Sequence, residues 1–551
     1  MSLHPEKIGE VPEETARVAK ACFPKGNRYM RLRDRLGTIF ADHEFADLFP
    51  RRGQPAEAPW RLALVCLVQY MEELTDRQAA DAVRSRMDIK YLLGLELTDP
   101  GFDFSVLSEF RTRLVEHQAE HRLFELLVAK LSEQGYLKKR GSLRTDSTHI
   151  LAAVHRYHRV ELLPETLRAA LNEVAAQAPE WLQQWVPLDW FKRYERRIEE
   201  SRLSIKKEEQ EAFLEQVGQD GSQLLSMLYQ EDTPALLAHL PQVQILRQIW
   251  IQHYFWEDGH LRLRNKDMLP PAHLTLRSPY DPQAHMGRKG GFSWYGYKVH
   301  LSETCDAEYP HLITCVQTTD ATASDMNQTP LVHEELAQRN LLPQTHLVDA
   351  GYVDAGLLVE SRESYGVELV GPVSRNNQWQ AKAGRGYDLS GFEVDFVAKE
   401  ATCPQGHTSI YWKEMRDQHG HPKLYIRFDG KTCRECPCRS LCTRAQEKPR
   451  QLSIRSQEEF LQLQRRRKQL ETEEFQATYA KRAGIEGTHS QGVRALGLRQ
   501  SRYIGLQKAS LQHSLVAAAL NLLRLDNFLT GEKMEQTRIS HFAALAPKEA
   551  A

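Results

Sequence analysis

Three carboxylates that lie far apart in the sequence are the residues best suited to chemistry in this chain. Asp146 and Asp349 lie in or just after short apolar runs typical of β-strands, and Glu486 follows a long helical pattern. Carboxylate oxygens are the ligands that Mg²⁺ prefers, and the ion usually keeps positions open for water or substrate. Ions held in this way can activate a water or a 3′-hydroxyl and stabilise the leaving oxygen of a phosphodiester. The three acids therefore predict a metal-dependent phosphoryl-transfer site.

The residues before Glu486 support the choice of the third acid. Tyr479, Arg482 and Glu486 occupy positions i, i+3 and i+7, which places them on one face of a helix. An arginine one turn before a metal-binding glutamate can hold that carboxylate or contact a nearby phosphate. Gly484 and Gly487 weaken the prediction of an uninterrupted helix, because glycine lowers helix propensity.

The overall charge does not by itself predict a nucleic-acid partner, since the chain has 72 basic and 73 acidic residues and a net charge of −1. Any contact with DNA would have to be made by local basic faces. Arg494, Arg499 and Arg502 form a basic run beside the predicted site, where substrate phosphates would lie. Residues 25–35 and 465–468 are two further basic stretches. Each stretch, taken alone, is equally well explained as a solvated helix face.

Five of the nine cysteines lie between Cys403 and Cys442. This clustering indicates metal binding rather than redox chemistry. Structural zinc takes four Cys or His ligands, and it would organise a segment in which the sequence shows no apolar core. The alternative is a set of reduced thiols in a loop. The ligands that we favour are Cys403, Cys433, Cys436 and Cys442, with His407 and Cys438 in reserve.

Length and composition limit the class of protein. A chain of 551 residues is too long for one core, so we expect two to four domains. The sequence has no apolar stretch near the roughly 20 residues that a membrane span needs. Its first residues lack the basic-then-apolar pattern of a secretory signal. We therefore expect an intracellular protein with no membrane partner.

The elements that must position the acids are predicted from periodicity. Residues 1–140 are expected to be helical, with a capping box at Thr75 and Gln78. Short helices joined by tight turns suit a helix-turn-helix-like DNA-binding unit, although many helical bundles share this pattern. The order that follows is a strand, a helical insert, and then β-β-α-β-α-β. In a ribonuclease-H-like sheet this order places the first and fourth strands side by side, so that Asp146 and Asp349 become neighbours.

The predicted architecture is α/β, with a ribonuclease-H-like mixed-sheet catalytic core interrupted by two inserts. The expected parts are a helical N-terminal DNA-binding domain at 1–140, a catalytic core formed by 141–154, 276–373 and 456–530, a helical insert at 155–275, a Cys-rich insert at 374–455, and a C-terminal tail at 531–551.

Several motifs together resemble the bacterial insertion-sequence DDE transposases. The main blocks are Arg144-Thr-Asp-Ser-Thr-His149, Val348-Asp-Ala-Gly-Tyr352, and the spacing of Tyr479, Arg482 and Glu486. Supporting blocks include Tyr295-Gly-Tyr-Lys-Val-His300 and, in the N-terminal stretch, Phe102-Asp-Phe-Ser-Val-Leu-Ser-Glu-Phe-Arg111. The resemblance extends over most of residues 35–525.

The resemblance implies that Asp146, Asp349 and Glu486 are a catalytic triad that binds Mg²⁺ or Mn²⁺, with Tyr479 and Arg482 as accessory residues. It implies hydrolysis at the ends of a mobile element, followed by attack of a 3′-hydroxyl on target DNA. The partners would be double-stranded DNA, as terminal inverted repeats and target, and a second copy in a homodimer or higher oligomer on DNA. The place of action would be the bacterial cytoplasm, at the nucleoid.

The chain departs from the family pattern at one position. A lysine often follows the glutamate by seven residues, where this sequence has Val493, and Arg494 could substitute. Two other functions are compatible with the residues: a ribonuclease-H-like nuclease without strand transfer, and a transposase-derived DNA-binding regulator without chemistry. Retention of all three acids disfavours the regulator.

Overall fold

The computed structural model describes residues 2–5, 8–198, 209–373, 378–417, 420, 422–532, 542 and 545. The helices are α1 Glu13–Cys22, α2 Arg28–Leu36, α3 Pro59–Met71, α4 Asp76–Ser85, α5 Met87–Leu93, α6 Ser105–Glu116, α7 Arg122–Glu133, α8 Arg159–Gln177, α9 Pro179–Gln183, α10 Leu188–Tyr194, α11 Gln210–Leu228, α12 Ala235–Ala238, α13 Pro241–His253, α14 Gln328–Gln338, α15 Ala355–Tyr365, α16 Trp379–Lys382, α17 Gly430–Glu435, α18 Arg439–Cys442, α19 Gln457–Gln469, α20 Glu473–Ala480, α21 Gly484–Ala495 and α22 Leu506–Thr530. The strands are β1 Ser142–Leu151, β2 Tyr254–Glu257, β3 His260–Leu263, β4 His285–Lys289, β5 Phe292–Thr304, β6 Ile313–Asp320, β7 Thr345–Val348, β8 Glu368–Val370, β9 Glu393–Asp395, β10 Glu400–Thr402, β11 Tyr411–Arg416, β12 Pro422–Arg427 and β13 Gln451–Ile454.

A six-stranded mixed sheet carries the predicted site. Its order is β4-β5-β1-β7-β8, and β6 also pairs with β5. Strand β1 is antiparallel to β5 and parallel to β7, which is in turn parallel to β8. An antiparallel hairpin followed by parallel crossover units is the arrangement expected of a ribonuclease-H-like core. The α/β fold class and the pairing of the first and fourth predicted strands are therefore confirmed.

The edge strand β4 was not among the predicted elements. It pairs with residues 292–296 at the start of β5. The segment is polar and glycine-rich, so it lacks the alternation that signals a strand. Gly287 is required here, because a Cβ at this position would lie 2.3 Å from Cζ2 of Trp294. Gly290 and Gly291 have positive φ angles of 55° and 86° and form the turn between the two strands.

The N-terminal region is helical as predicted, and its local signals are observed. In the capping box, the Thr75 amide donates to Gln78 Oε1 at 2.9 Å, and the Gln78 amide donates to Thr75 Oγ1 at 3.3 Å. These helices bury a small cluster of their own around Ala19, Met30 and Tyr91, and most of their apolar residues join a larger core. Leu64 of α3 and Leu127 of α7 belong to the same apolar cluster as Val299 of the sheet and much of α22.

Helix α22 lies at the centre of this shared core. Its residues from Ala509 to Leu522 are buried. Asn521 fixes the helix to β6, since its Oδ1 accepts from the Ile313 amide at 2.7 Å and its Nδ2 donates to the Ile313 carbonyl at 2.8 Å. The N-terminal helices and the sheet therefore pack on opposite sides of one buried helix.

Residues 155–275 form a packed helical unit with its own apolar cluster. Trp190 and Trp250 are buried in it, as expected for a structural role. The prediction of an entirely helical segment is wrong at its end, where β2 and β3 pair as a hairpin. This hairpin is too short to give a clear period-two pattern, and Trp256 on it is exposed.

The cysteine-rich segment has a core that the sequence did not reveal. Strands β11, β12 and β13 form a small antiparallel sheet, and β9 pairs with β10. Phe392, Ile426, Phe428, Leu452 and Ile454 are buried together against it. The expectation of a segment without an apolar core is therefore wrong, because its apolar residues are scattered along the chain and meet only through strand pairing. No helix in the described part of the chain is long and apolar enough to cross a membrane.

Candidate active site

The carboxyl ends of two parallel strands bring Asp146 and Asp349 together. Thr145 of β1 lies opposite Val348 of β7 in the parallel register, so each acid is the next residue along its strand. Asp349 follows the last residue of β7 and precedes a short 3₁₀ turn at Ala350–Tyr352. Both carboxylates therefore lie at one edge of the sheet, as the strand order predicts.

Asp146 is held in a fixed position by two donors. Its Oδ1 accepts from the Ser147 amide at 2.7 Å, and its Oδ2 accepts from Nη1 of Arg482 at 2.9 Å. The Asp146 and Arg482 side chains are 13% and 16% exposed, so this ion pair is largely shielded from water. An ion pair in such a setting is stronger than one on an open surface.

Arg482 also connects Asp146 to the third acid. Its Nη2 lies 3.6 Å from Oε1 of Glu486, whose side chain is 69% exposed. Burial alone would lower the pKa of Arg482, but Asp146, Tyr479 and Asp349 raise it above its ordinary value. The Arg482 guanidinium carbon lies 5.8 Å from the centre of the Tyr479 ring. One cation thus interacts with all three acids and with the accessory tyrosine.

The helix that was predicted to carry this group is broken. Tyr479 lies near the end of α20, Arg482 lies in a 3₁₀ turn at Lys481–Ala483, and Glu486 lies in the first turn of α21. Arg144 contacts this 3₁₀ turn. Its Nη1 donates to the Lys481 carbonyl at 2.7 Å, and this hydrogen bond connects β1 to the turn.

Gly484 makes this contact possible. A Cβ at Gly484 would lie 1.9 Å from Nη1 of Arg144. Arg144 is itself buried and pairs with Glu303 at 2.6 Å. Glu303 is fully buried and also pairs with Arg524 at 2.5 Å and accepts from Thr488 at 2.5 Å. A buried network on the same face of β1 as Asp146 therefore adjoins the residues that face the site.

A cavity of about 410 Å³ opens beside these residues. Asp146 and Glu486 both line it, whereas Asp349 and Arg482 lie outside its lining. Arg494 and Val493 lie on its wall, so the position next to the expected lysine supplies a positive charge. Arg499 completes that wall and donates to Thr148 Oγ1 at 3.0 Å and to the His149 carbonyl.

Arg502, the third member of the predicted basic run, is placed elsewhere. Its guanidinium carbon lies 4.9 Å from the centre of the Tyr70 ring, among the N-terminal helices. The main-chain turn after Arg499 points it away from the cavity, and its amide donates to Gln512 at 2.7 Å. Arg494 and Arg499 are therefore brought to the site, and Arg502 is not.

His489 was not singled out from the sequence, although it lines the same cavity. It is nearly buried, and within the described residues neither ring nitrogen has a hydrogen-bond partner. Burial lowers the pKa of its imidazole, with Asp146 acting in the opposite direction. The available signal was its i+3 spacing from Glu486, which places both side chains on one face of α21.

The donor set at this site fits a hard divalent cation by its chemistry. It consists of carboxylate oxygens from Asp146, Asp349 and Glu486, and the Arg482 guanidinium supplies positive charge among them. An unpartnered His489 ring lies beside them. Among the described residues, there is no group of three or more His, Cys, Asp or Glu side chains placed so that they could hold a metal ion.

The cysteines of the second predicted metal site share one small cavity of about 50 Å³. The residues with metal-ligating side chains that line it are Cys403, His407, Asp429, Cys433, Cys436, Cys438 and Cys442. All five thiols are free and half-buried. Burial raises the pKa of the Cys442 thiol to about 11, and Cys433, Cys403 and Cys436 act in the same direction. The three cysteines that interact with Cys442 are the other members of the predicted zinc set.

Comparison with known families gives two matches. Residues 17–113 match the family described as Transposase domain (DUF772). Residues 402–526 match the family described as Transposase DDE domain. The second match includes Glu486 and the cysteine cluster, while Asp146 and Asp349 lie outside both matched ranges. A search of curated proteins returned no match.

Proposed function

Because the two family matches support an insertion-sequence DDE transposase, we propose that this chain cleaves the ends of an insertion sequence and joins the freed 3′-hydroxyls to target DNA. The observation that supports the proposal most is Arg482, which pairs with Asp146 and lies 3.6 Å from Glu486, while the parallel register of β1 and β7 places Asp146 and Asp349 directly after paired residues. A DDE transposase domain implies divalent-metal use in general.

In the proposed reaction Asp146, Asp349 and Glu486 would hold Mg²⁺ or Mn²⁺. The bound ion would supply activation of a water or 3′-hydroxyl and stabilisation of the leaving oxygen. Glu486 is the most exposed of the three acids, so it is the ligand best placed to adjust when substrate arrives. Asp146 is held by the Ser147 amide and needs no reorientation at Oδ1.

The arginines around the site would position the DNA strand. Arg494 and Arg499 line the cavity that contains Asp146 and Glu486, so a phosphate entering it meets two guanidinium groups. Arg482 would keep the acids in place before DNA binds, and Tyr479 packs against it. Charge on this wall is local, which agrees with a chain of net charge −1.

We assign recognition of the terminal inverted repeats to the N-terminal helices. Residues 17–113 match a transposase domain and contain the short helices α4 and α5, joined at Arg86. Pairing of two DNA ends usually requires two subunits, so we expect a dimer or higher oligomer on DNA. Arg502 lies on this side of the molecule and would contribute there rather than at the cavity.

We further propose that Cys403, Cys433, Cys436 and Cys442 hold a structural Zn²⁺. Their placement around one small cavity and the thiolate preference of zinc support this set. Cys438 lines the same cavity and stays in reserve with His407. Elemental analysis of the purified protein should give one zinc per chain, and Cys433→Ser should lose it. Less than half an equivalent in the wild type would contradict the proposal.

The function is tested with DNA that carries the inverted repeats bracketing the gene. The purified protein is incubated with this DNA, Mg²⁺ or Mn²⁺ and a target plasmid, and both cleaved ends and joined products are expected. Cleaved ends without joined products would instead indicate a ribonuclease-H-like nuclease. End binding without any cleavage would indicate a DNA-binding regulator.

A further inference from the structure

A second cavity, of about 420 Å³, adjoins the one that contains Asp146 and Glu486. The two cavities share Ser147 and Thr148, so they adjoin each other at β1. His149 of β1 lies on the floor of the second cavity. It is three residues beyond Asp146, or roughly 10 Å along an extended strand, and its side chain leaves the opposite face of β1.

An aromatic platform lines this second cavity. The Phe292 ring is stacked on Trp294, with 6.3 Å between ring centres and an interplanar angle of 13°. His149 packs against both rings at 4.9 Å and 5.4 Å. Phe292 is 52% exposed, whereas Trp294 is 5% exposed. The platform therefore consists of one buried ring, that of Trp294, and one solvent-exposed ring, that of Phe292.

The platform is rigid because Trp294 is fixed from two sides. Its Nε1 donates to the Tyr297 carbonyl at 3.0 Å. Its ring lies directly over Gly287 of β4, where a Cβ would be 2.3 Å away. Burial lowers the pKa of His149 to about 4, and Arg499 and Lys289 act in the same direction. The imidazole is therefore neutral at pH 7 and offers a flat, uncharged contact.

Positive charge surrounds the open ring. Arg288 and Lys289 are exposed residues of β4 that line the cavity, and neither has an ion-pair partner among the described residues. Lys298 also lines it and is neutralised by Asp325 at 2.8 Å. An exposed aromatic ring beside uncompensated cations is the combination that binds single nucleic-acid strands, since each base has a π-face and each phosphate a charge.

We propose that this cavity holds an unpaired nucleobase of the DNA strand that leads to the acidic site. The base would stack on Phe292, and Arg288 and Lys289 would contact the flanking phosphate. The inference rests on the proposed function for the identity of the strand. It adds a subsite that requires the end of the duplex to open. Stacking of the released base on an aromatic ring would offset the free energy that unpairing costs.

The probe is a single-stranded oligonucleotide that contains 2-aminopurine, whose fluorescence falls when it stacks on an aromatic ring. The wild-type protein should quench it in a saturable way. Phe292→Ala should remove the quenching and weaken binding about tenfold, as expected for the loss of one stacked base. Phe292→Tyr keeps a ring of the same shape and should behave like the wild type. Lys289→Ala should weaken binding and reduce its salt dependence.

Phe191→Ala is the matched control, because Phe191 is also 52% exposed but lies in the helical unit formed by residues 155–275. It should leave binding and quenching unchanged. Unchanged quenching in Phe292→Ala would overturn the subsite, as would an equal loss in Phe191→Ala. The oligonucleotide assay involves no cleavage. Phe292-dependent quenching by a protein that does not cut inverted-repeat DNA would therefore uphold the subsite and reject the proposed function.

Discussion

At the scale of single residues, the side chains behind the site are more deeply buried than those that face it. Glu303 is fully buried between Arg144 and Arg524, whereas Glu486 faces the cavity with an exposed side chain. Burial alone would raise the pKa of Glu303, but Arg524 and Arg144 outweigh it and lower the pKa below its ordinary value. Glu303 is therefore charged in the folded protein and holds two buried cations.

Glu303→Gln should destabilise the protein by about 3–5 kcal/mol, because it leaves two buried guanidinium groups without their counter-charge. Since the folded pKa is lowered, the stabilisation is present above the ordinary value of 4.5 and is lost as the pH falls through the folded value. Urea denaturation at several pH values measures the difference. Exposed Glu308 offers the control Glu308→Gln, which should be neutral. Equal stability of the two variants at pH 7 would show that the buried pairs do not stabilise the fold.

At the scale of elements, a 3₁₀ turn at Lys481–Ala483 joins α20 to α21 just before Glu486. Arg144 reaches the Lys481 carbonyl only because Gly484 leaves space for its guanidinium. Arg144 cannot move aside at low cost, since it is buried and paired with Glu303. The position of the acidic site thus depends on a contact between a strand and a turn that are far apart in the chain.

Gly484→Ala should lower stability by about 1–3 kcal/mol, the usual cost of forcing a group into a packed space. Gly487→Ala is the matched control, because it lies in the same helix and a Cβ there has no neighbour within 4 Å. That change should be neutral or slightly stabilising, as alanine favours a helix. Chemical denaturation of both variants decides the matter. A Gly484→Ala protein as stable as Gly487→Ala would exclude a role for the Arg144 contact.

The elements differ in how far the sequence could predict them. The order of strands and helices sufficed for the pairing of β1 with β7, because crossover rules leave few alternatives. The 3₁₀ turn around Arg482 could not be predicted, since it depends on Arg144 from a distant segment. Strand β4 and the cysteine-rich sheet were missed for a related reason. Their apolar residues are few, and long-range pairing rather than local periodicity determines their structure.

The site residues show the same division between local and distant information. Asp146, Asp349 and Glu486 could be chosen because each has a distinctive local setting, and the strand order supplied a reason for two of them to meet. Arg502 was grouped with Arg499 by sequence alone, although the turn between them points the two side chains to different parts of the molecule. No local pattern reveals such a change of direction.

At the scale of the whole molecule, the N-terminal helices and the six-stranded sheet share one core around α22. Asp526 of this helix is buried and accepts from Arg31 Nε at 2.8 Å and Arg28 Nε at 3.0 Å, both on α2. The division at residue 140 stays a prediction about function. In packing, the two regions are continuous.

Asp526→Ala should lower stability by about 1–3 kcal/mol, because it leaves two half-exposed arginines without a partner. It should shift a single unfolding transition rather than split it, as followed by circular dichroism and tryptophan fluorescence. Asp81→Ala, at an exposed pair on α4, should have little effect. An early, separate transition in Asp526→Ala would mean that the N-terminal helices fold independently.

The proposed function requires Asp146, Asp349 and Glu486 to act together on DNA. The most direct measurement is metal-dependent cleavage of inverted-repeat DNA by Asp146→Asn, Asp349→Asn and Glu486→Gln, beside the surface control Glu473→Gln. Each of the three variants should bind the ends like the wild type and show only background cleavage, while Glu473→Gln cleaves normally. Near-wild-type cleavage by any one of the three would contradict the assignment of that residue and, with it, the three-carboxylate site.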